Sequence, residues 1–247
     1  MTAPQLAARD AVRALPNAGW IGELPEGAVY GSLYAAPQGE REAAADRFAD
    51  AGLPMHLDVI LDRDAHGEPA HRGITIAELR ACGARHPDSL LEVHLIVLTG
   101  AQHGAGPEFA SRLRAEIAAV LEVAAAIGAQ RAALPVDIAS DAALTEAFRA
   151  AGGEVWTVLA PGDDPAPLRA DATGALIMLI EPGTRDAARP ELLDRIPRLA
   201  PNVQVGVDGG VDAAIARRAI ALGAHHVVVG RALLDPEPPE AVRGEQP

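Results

Sequence analysis

MHLDVILD, residues 55–62, is apolar enough to be a strand buried on both faces, yet it sets His56 and Asp58 two residues apart. Side chains alternate across a strand, so both belong to one face. Similar short apolar runs recur along the chain. They are AVYGSLYAA (28–36), PMHLDVIL (54–61), LLEVHLIVL (90–98), RAALPV (131–136), EVWTVLA (154–160), ALIMLIE (175–181), VQVGVD (203–208) and HHVVVG (225–230). Near-continuous apolar character is what parallel strands require when helices cover the sheet. Between the runs lie Ala-rich helical segments such as PEFASRLRAEIAAVLEVAAAIGA (107–129), SDAALTEAFRAAGG (140–153), PELLDRIPRLA (190–200) and DAAIARRAIALGA (212–224), with a weak one near PAPLRAD (165–171). Several end in Gly, as helix C-termini commonly do. Ser140 and Asp212 are expected N-caps.

Eight strands with seven crossovers predict an α/β fold, a (β/α)8 TIM barrel. No Pro- or Gly-rich linker divides residues 1–247, so a single barrel domain is expected. Residues 1–25 are read as an N-terminal helical extension covering a gap in the helix ring or the barrel floor. Residues 235–247 are read as a short Pro-rich tail. Only 17 residues follow Gly230, so the eighth helix is expected to be short or missing.

Composition narrows the function. The net charge is −13, from 21 basic and 34 acidic residues, which argues against nucleic-acid or anionic-membrane partners. A small anionic substrate is still compatible, because a local site can oppose the global charge. The one cysteine, Cys82, cannot form an intrachain disulfide, which suits a cytoplasmic protein. It reads as a helix residue without chemistry. No apolar run approaches the roughly 20 residues of a membrane span, and the N-terminus has no signal-peptide core.

In such barrels chemistry sits at the C-terminal ends of the strands. His56 and Asp58 lie mid-to-late in the 54–61 strand, His94 in the 90–98 strand, and Asp208 ends the 203–208 strand before Gly209 and Gly210. A lone strand histidine is commonly a hydrogen-bonded core residue, and a lone aspartate at a strand end is commonly a helix cap. Together, two imidazoles and two carboxylates make a divalent-metal set, suited to zinc, iron, manganese or cobalt. Buried charge needs a partner or a metal.

HLDVILD (56–62), EVHLIV (92–97), LIMLIEPG (176–183), VGVDGGV (205–211) and VVVGRALL (227–234) resemble the successive strand motifs of ribulose-phosphate 3-epimerases, in order and at about the same spacing. RGITI (72–76) resembles the segment opening that family's second helix. The resemblance runs from about residue 28 to 234 and implies a ribulose-phosphate-binding barrel. It implies His56, Asp58, His94 and Asp208 as ligands of one divalent metal, and Asp58 and Asp208 as the acid–base pair. It implies Ser32 and Met178 as substrate contacts, with Ile60 and Ile96 in place of two methionines. The implied activity is epimerisation next to the ketone of a sugar phosphate through an enediolate.

The phosphate end departs from the family. Gly209, Gly210 and Gly230 are kept, but Arg231 replaces a small residue and ProGlyThrArgAsp (182–186) replaces a Gly-rich loop, bringing Gly183 and Arg185 to the site. An arginine can bind phosphate bidentately, or the substrate can be a different ketose, phosphorylated or not. LeuAlaPro (159–161) stands where Asn-Pro is usual, and the loop TGAQHGAGPE (99–108) is long and glycine-rich. His66, His71 and His103 are either substrate contacts or exposed loop residues. His86 is expected at the surface, and His225 and His226 are expected to be structural. Asp62 is either a loop-stabilising acceptor or a support to the site. A lysine-assisted decarboxylase is disfavoured because the DVILD region has no lysine. A non-catalytic metal-binding barrel has no use for two opposed proton carriers. A homo-oligomer is possible, but no interface is legible.

Overall fold

The computed structural model describes residue 15 and residues 18–98, 106–163, 168 and 172–235. Residues 1–14, 16 and 17 of the expected N-terminal extension, most of the segment 165–171, the tail after Asp235 and His103 lie outside the described residues. The described end of that extension forms a 3-10 turn, Gly19–Glu23.

Nine strands form the sheet: β1 (Val29–Ser32), β2 (Met55–Arg63), β3 (Pro69–His71), β4 (Leu91–Val97), β5 (Arg131–Pro135), β6 (Glu154–Leu159), β7 (Gly174–Met178), β8 (Gln204–Asp208) and β9 (His226–Val229). Eight are parallel, in the order β1-β9-β8-β7-β6-β5-β4-β2, and β1 pairs with β2 to close the ring. This is the expected (β/α)8 TIM barrel. All eight predicted strands are present, most of them shorter by a few residues, whereas β2 runs two residues past its expected end.

The strands are apolar on both faces because two cores flank them. Tyr30, Ala133, Trp156, Leu176, Met178 and Val228 fill the barrel interior. Leu57, Val59, Val93 and Leu95 belong to an outer core with helix residues such as Phe48, Leu79 and Val120. Fully burying each such large side chain contributes roughly 1.5–3 kcal/mol. Inside, small residues make room for large ones. A Cβ at Gly174 would lie 2.1 Å from the Trp156 ring, and one at Gly206 would lie 2.5 Å from His226.

The helices are α1 (Arg41–Asp50), α2 (Ile76–Arg85), α3 (Pro107–Ala126), α4 (Val136–Ala139), α5 (Ala142–Ala150), α6 (Ile196–Leu199), α7 (Ala213–Ala221) and α8 (Arg231–Leu234). The last is a single turn among the described residues. Asp212 caps α7 by accepting from Ile215 N–H at 2.8 Å. The cap of α5 is Asp141, not Ser140, because the one-turn α4 reaches Ala139 and Ser140 ends it. The expected helix over 190–200 is instead a 3-10 turn, Pro190–Arg195, running into α6, in keeping with prolines at both starts.

One strand was not foreseen. β2 runs on to Arg63, turns, and returns antiparallel as β3. Asp64 Oδ1 accepts from the backbone N–H groups of His66 and Glu68, both at 2.8 Å, and Gly67 takes a left-handed φ of 83°. Pro69 and a three-residue length hide this strand from a sequence reading, but both suit an edge position. Among the described residues no helix is long and apolar enough to cross a membrane.

Candidate functional site

Strand register brings the site together. In the β2–β4 pairing His56 sits beside Glu92, Asp58 beside His94 and Ile60 beside Ile96. Asp208, the last residue of β8, pairs with Met178 at the end of β7. With a two-residue period these side chains share the interior face, and the barrel's curvature brings β2, β4 and β8 to a common centre.

The four expected ligands converge. His56 Nε2 lies 3.1 Å from Asp58 Oδ1, 3.2 Å from His94 Nδ1 and 3.7 Å from Asp208 Oδ2. His94 Nδ1 lies 3.1 Å from Asp58 Oδ1 and 3.6 Å from Asp208 Oδ2. All four ligand atoms fall within 4.8 Å of one another. A first-row metal holds such ligands at about 2.0–2.2 Å, which sets neighbouring donor atoms about 3–3.6 Å apart, so the set fits one small divalent cation. Each carboxylate has one oxygen in this cluster and the other held by a donor. Ser32 Oγ donates to Asp58 Oδ2 at 2.9 Å, and Gly209 N–H donates to Asp208 Oδ1 at 2.6 Å.

The electrostatics favour positive charge. Burial works to lower the His56 pKa, but the Asp58 charge and the hydrogen bonds from Asp58 and Glu92 outweigh it and hold the imidazole well above its ordinary range. His94 is raised as well: burial opposes, and the contacts with Asp208 and Asp58 prevail. Asp58 is held well below the carboxylate range, because the two imidazoles overcome its burial. A metal cation that displaces these protons meets two imidazole lone pairs and two carboxylate oxygens.

Above the cluster opens a cavity of about 280 Å³. Asp58 and Asp208 line its floor with Ile60, Ile96 and Met178, while the fully buried His56 and His94 lie behind. Ser32 lines it beside Asp58. At the other end stand Gly183, Arg185, Gly209, Gly210, Gly230 and Arg231. Every expected substrate contact therefore reaches the same cavity. Gly209 and Gly210 adopt φ of 104° and 66°, a left-handed turn that a side chain would strain. A Cβ on Gly209 would also meet Ile180 Cγ1 at 2.8 Å. Arg185 and Arg231 are exposed at the rim.

Other expectations resolve differently. Asp62 is a loop acceptor: it takes the Arg63 N–H at 2.7 Å and pairs with Arg72 Nε at 2.5 Å. His66 is exposed in the β2–β3 turn and His71 faces Glu116 at 3.3 Å; neither lines the cavity. His86, expected at the surface, is only 9% exposed and stands 3.3 Å from Asp46, because α1 packs against the end of α2. His225 is exposed, whereas His226 is buried inside the barrel. Glu92 was overlooked. It is fully buried, with Oε1 2.7 Å from His56 Nδ1 and Oε2 3.4 Å from His226 Nε2. Its signal was present, a carboxylate two residues before His94 on the same strand face.

No protein-family model matches the chain, and no curated protein matches it in sequence. Solved structures do match. Deoxyribose phosphate aldolase from Aeropyrum pernix superposes with a TM-score of 0.54 at 15% identity, over 91% of this chain and 94% of the other. Tryptophan synthase subunit alpha from Campylobacter jejuni gives 0.55 at 13%, over 86% and 90%. Phosphoribosyl anthranilate isomerase from Thermus thermophilus gives 0.52 at 17%, over 83% and 87%. At these identities the likeness is one of fold, and all three share the barrel.

Proposed function

We propose that this protein is a metal-dependent epimerase that inverts the carbon next to the ketone of a ketose phosphate, ribulose 5-phosphate being the simplest substrate. The observation that carries the reading is the placement of Asp58 and Asp208. Both join the cluster with His56 and His94, and both face the cavity. His56, Asp58, His94 and Asp208 would hold one divalent zinc, iron, manganese or cobalt ion. Bound there, it supplies Lewis acidity that stabilises negative charge developing on the substrate oxygens.

The chain's own residues supply the proton transfers. One aspartate takes the proton from one face of the carbon, and the other returns a proton to the opposite face. Ser32 and Gly209 N–H fix the outer oxygens of the two carboxylates. Ile60, Ile96 and Met178 keep water from the reacting carbon. With the Gly209 N–H engaged by Asp208, the Gly210 amide of the turn suits an anion, and Arg185 and Arg231 at the rim suit a phosphate.

The other chemistry familiar on this fold is Schiff-base aldol cleavage, which needs a lysine amine. The sequence contains no lysine, all 21 basic residues being arginine. A second reading, an unphosphorylated ketose, is favoured by Arg185 in the 182–186 loop, which replaces amide donors with a side chain free to read another group. The test is conversion of ribulose 5-phosphate to its 3-epimer by metal-loaded protein, followed by NMR. Turnover abolished in Asp208→Asn supports the phosphate reading. A metal-loaded protein that ignores this substrate but epimerises a free ketulose establishes the second.

A further inference from the structure

The two imidazoles of the cluster are supported unequally. His94 Nε2 is buried with no hydrogen-bond partner among the described residues. His56 Nδ1, by contrast, lies 2.7 Å from Glu92 Oε1, and both side chains are fully buried. A neutral imidazole has one N–H and one lone pair. A proton shared with Glu92 at Nδ1 leaves the Nε2 lone pair facing Asp58, His94 and Asp208. No solvent reaches this contact to do the same.

Glu92 is itself held in place. Its Oε2 faces His226 Nε2 at 3.4 Å and Arg131 Nη1 at 3.9 Å. His226 stacks on the Tyr30 ring, centroids 4.1 Å apart, in space that Gly206 leaves open. Arg131 Nη1 donates to Tyr30 Oη at 2.5 Å, and its guanidinium lies over Trp156 at 4.5 Å. His226 of β9 and Arg131 of β5 thus face this carboxylate, and Tyr30 of β1 and Trp156 of β6 back them.

We infer that Glu92 is a positioning residue that acts through His56, fixing its tautomer and ring orientation so that Nε2 is presented to a metal and made a stronger ligand. This rests on the metal reading of the four-residue cluster. Partners of this kind tune metal affinity by about 10- to 100-fold when removed.

The experiment titrates Co²⁺ into the metal-free full-length protein, as wild type, Glu92→Gln and Glu92→Leu. It reads the dissociation constant, the visible cobalt spectrum and the melting temperature without metal. Glu92→Leu is expected to bind about 10- to 100-fold more weakly, with an altered spectrum. Glu92→Gln, whose amide oxygen can still accept from Nδ1–H, is expected to recover part of the affinity. If Glu92→Leu does not fold, Glu92→Gln decides by weaker binding and a changed spectrum at a near-native melting temperature. Wild-type affinity and spectrum in the folded variants, with only the metal-free melting temperature lowered, would overturn the inference and leave Glu92 a counter-charge for Arg131. Wild-type protein that binds no Co²⁺ would instead overturn the metal reading itself, and this inference with it.

Discussion

Ser32 Oγ donates a 2.9 Å hydrogen bond to Asp58 Oδ2, leaving Oδ1 to face the two imidazoles. The bond ties β1 to β2 at the bottom of the cavity and divides the work of one carboxylate. Ser32→Ala leaves Oδ2 without its donor in a site where Asp58 is 6% exposed. The expected cost is about 1–3 kcal/mol of stability, read by denaturant unfolding. Turnover should fall by up to about a hundredfold, the lower end of what an acid–base group contributes, while one metal still binds per chain.

Metal and proton compete for the same imidazole lone pairs. His56 and His94 both hold their protons above the ordinary value of 6.5 in the metal-free protein. The stronger proton competitor means that metal affinity falls as pH falls, with the loss already measurable above pH 6.5. Titrations of Co²⁺ between pH 6 and 9 should show affinity rising throughout. Chelation should lower the melting temperature of loaded protein, because metal at a hundred times its dissociation constant adds about 2.7 kcal/mol. His94→Ala should remove both effects.

Gly73 leans on the strand that carries the site. A Cβ there would lie 2.2 Å from the Asp58 carbonyl oxygen and 2.8 Å from Ile60 N. Gly73→Ala must therefore push β2 aside, at a cost of about 1–3 kcal/mol, and should weaken metal binding with it. Gly22→Ala, where a Cβ meets nothing within 4 Å, is the matched control and should be close to neutral.

Alkaline stability should reflect two buried neutral groups. Burial pushes the Cys82 thiol up to about 11 and, against the pull of Arg131, the Tyr30 hydroxyl up to about 12. In the unfolded chain they ionise near their ordinary values of 9.0 and 10.0, so stability is full below pH 9 and declines as pH rises through 9 to 12. The thiol accounts for at most about 2.7 kcal/mol of that decline. Cys82→Ala should flatten the loss between pH 9 and 11, and native Cys82 should resist thiol reagents at pH 8.

The barrel and the convergence of His56, Asp58, His94 and Asp208 were legible because both follow from periodicity. Apolar runs at regular intervals gave eight strands, and the two-residue offset put His56 and Asp58 on one face. Where tertiary context decides, the sequence said less. β3 is three residues with a proline, and only its pairing with the far end of β2 makes it a strand. Ser140 and Asp141 are both good caps, and the unexpected turn of α4 decided between them. Glu92 is a lone carboxylate in a largely apolar run, and the sequence does not say what would balance its charge. Only closure of the barrel shows that no solvent reaches it and that His56, His226 and Arg131 surround it.

The central claim is that Asp58 and Asp208 move a proton at the carbon next to a ketone. Its most direct measurement is incorporation of solvent deuterium, by NMR, into ribulose 5-phosphate incubated with metal-loaded protein in D2O. The account predicts deuterium at C3 in both epimers, with epimerisation lost in Asp58→Asn and in Asp208→Asn. Metal-loaded, folded protein that leaves C3 of ribulose 5-phosphate and of the unphosphorylated ketuloses unlabelled would contradict it.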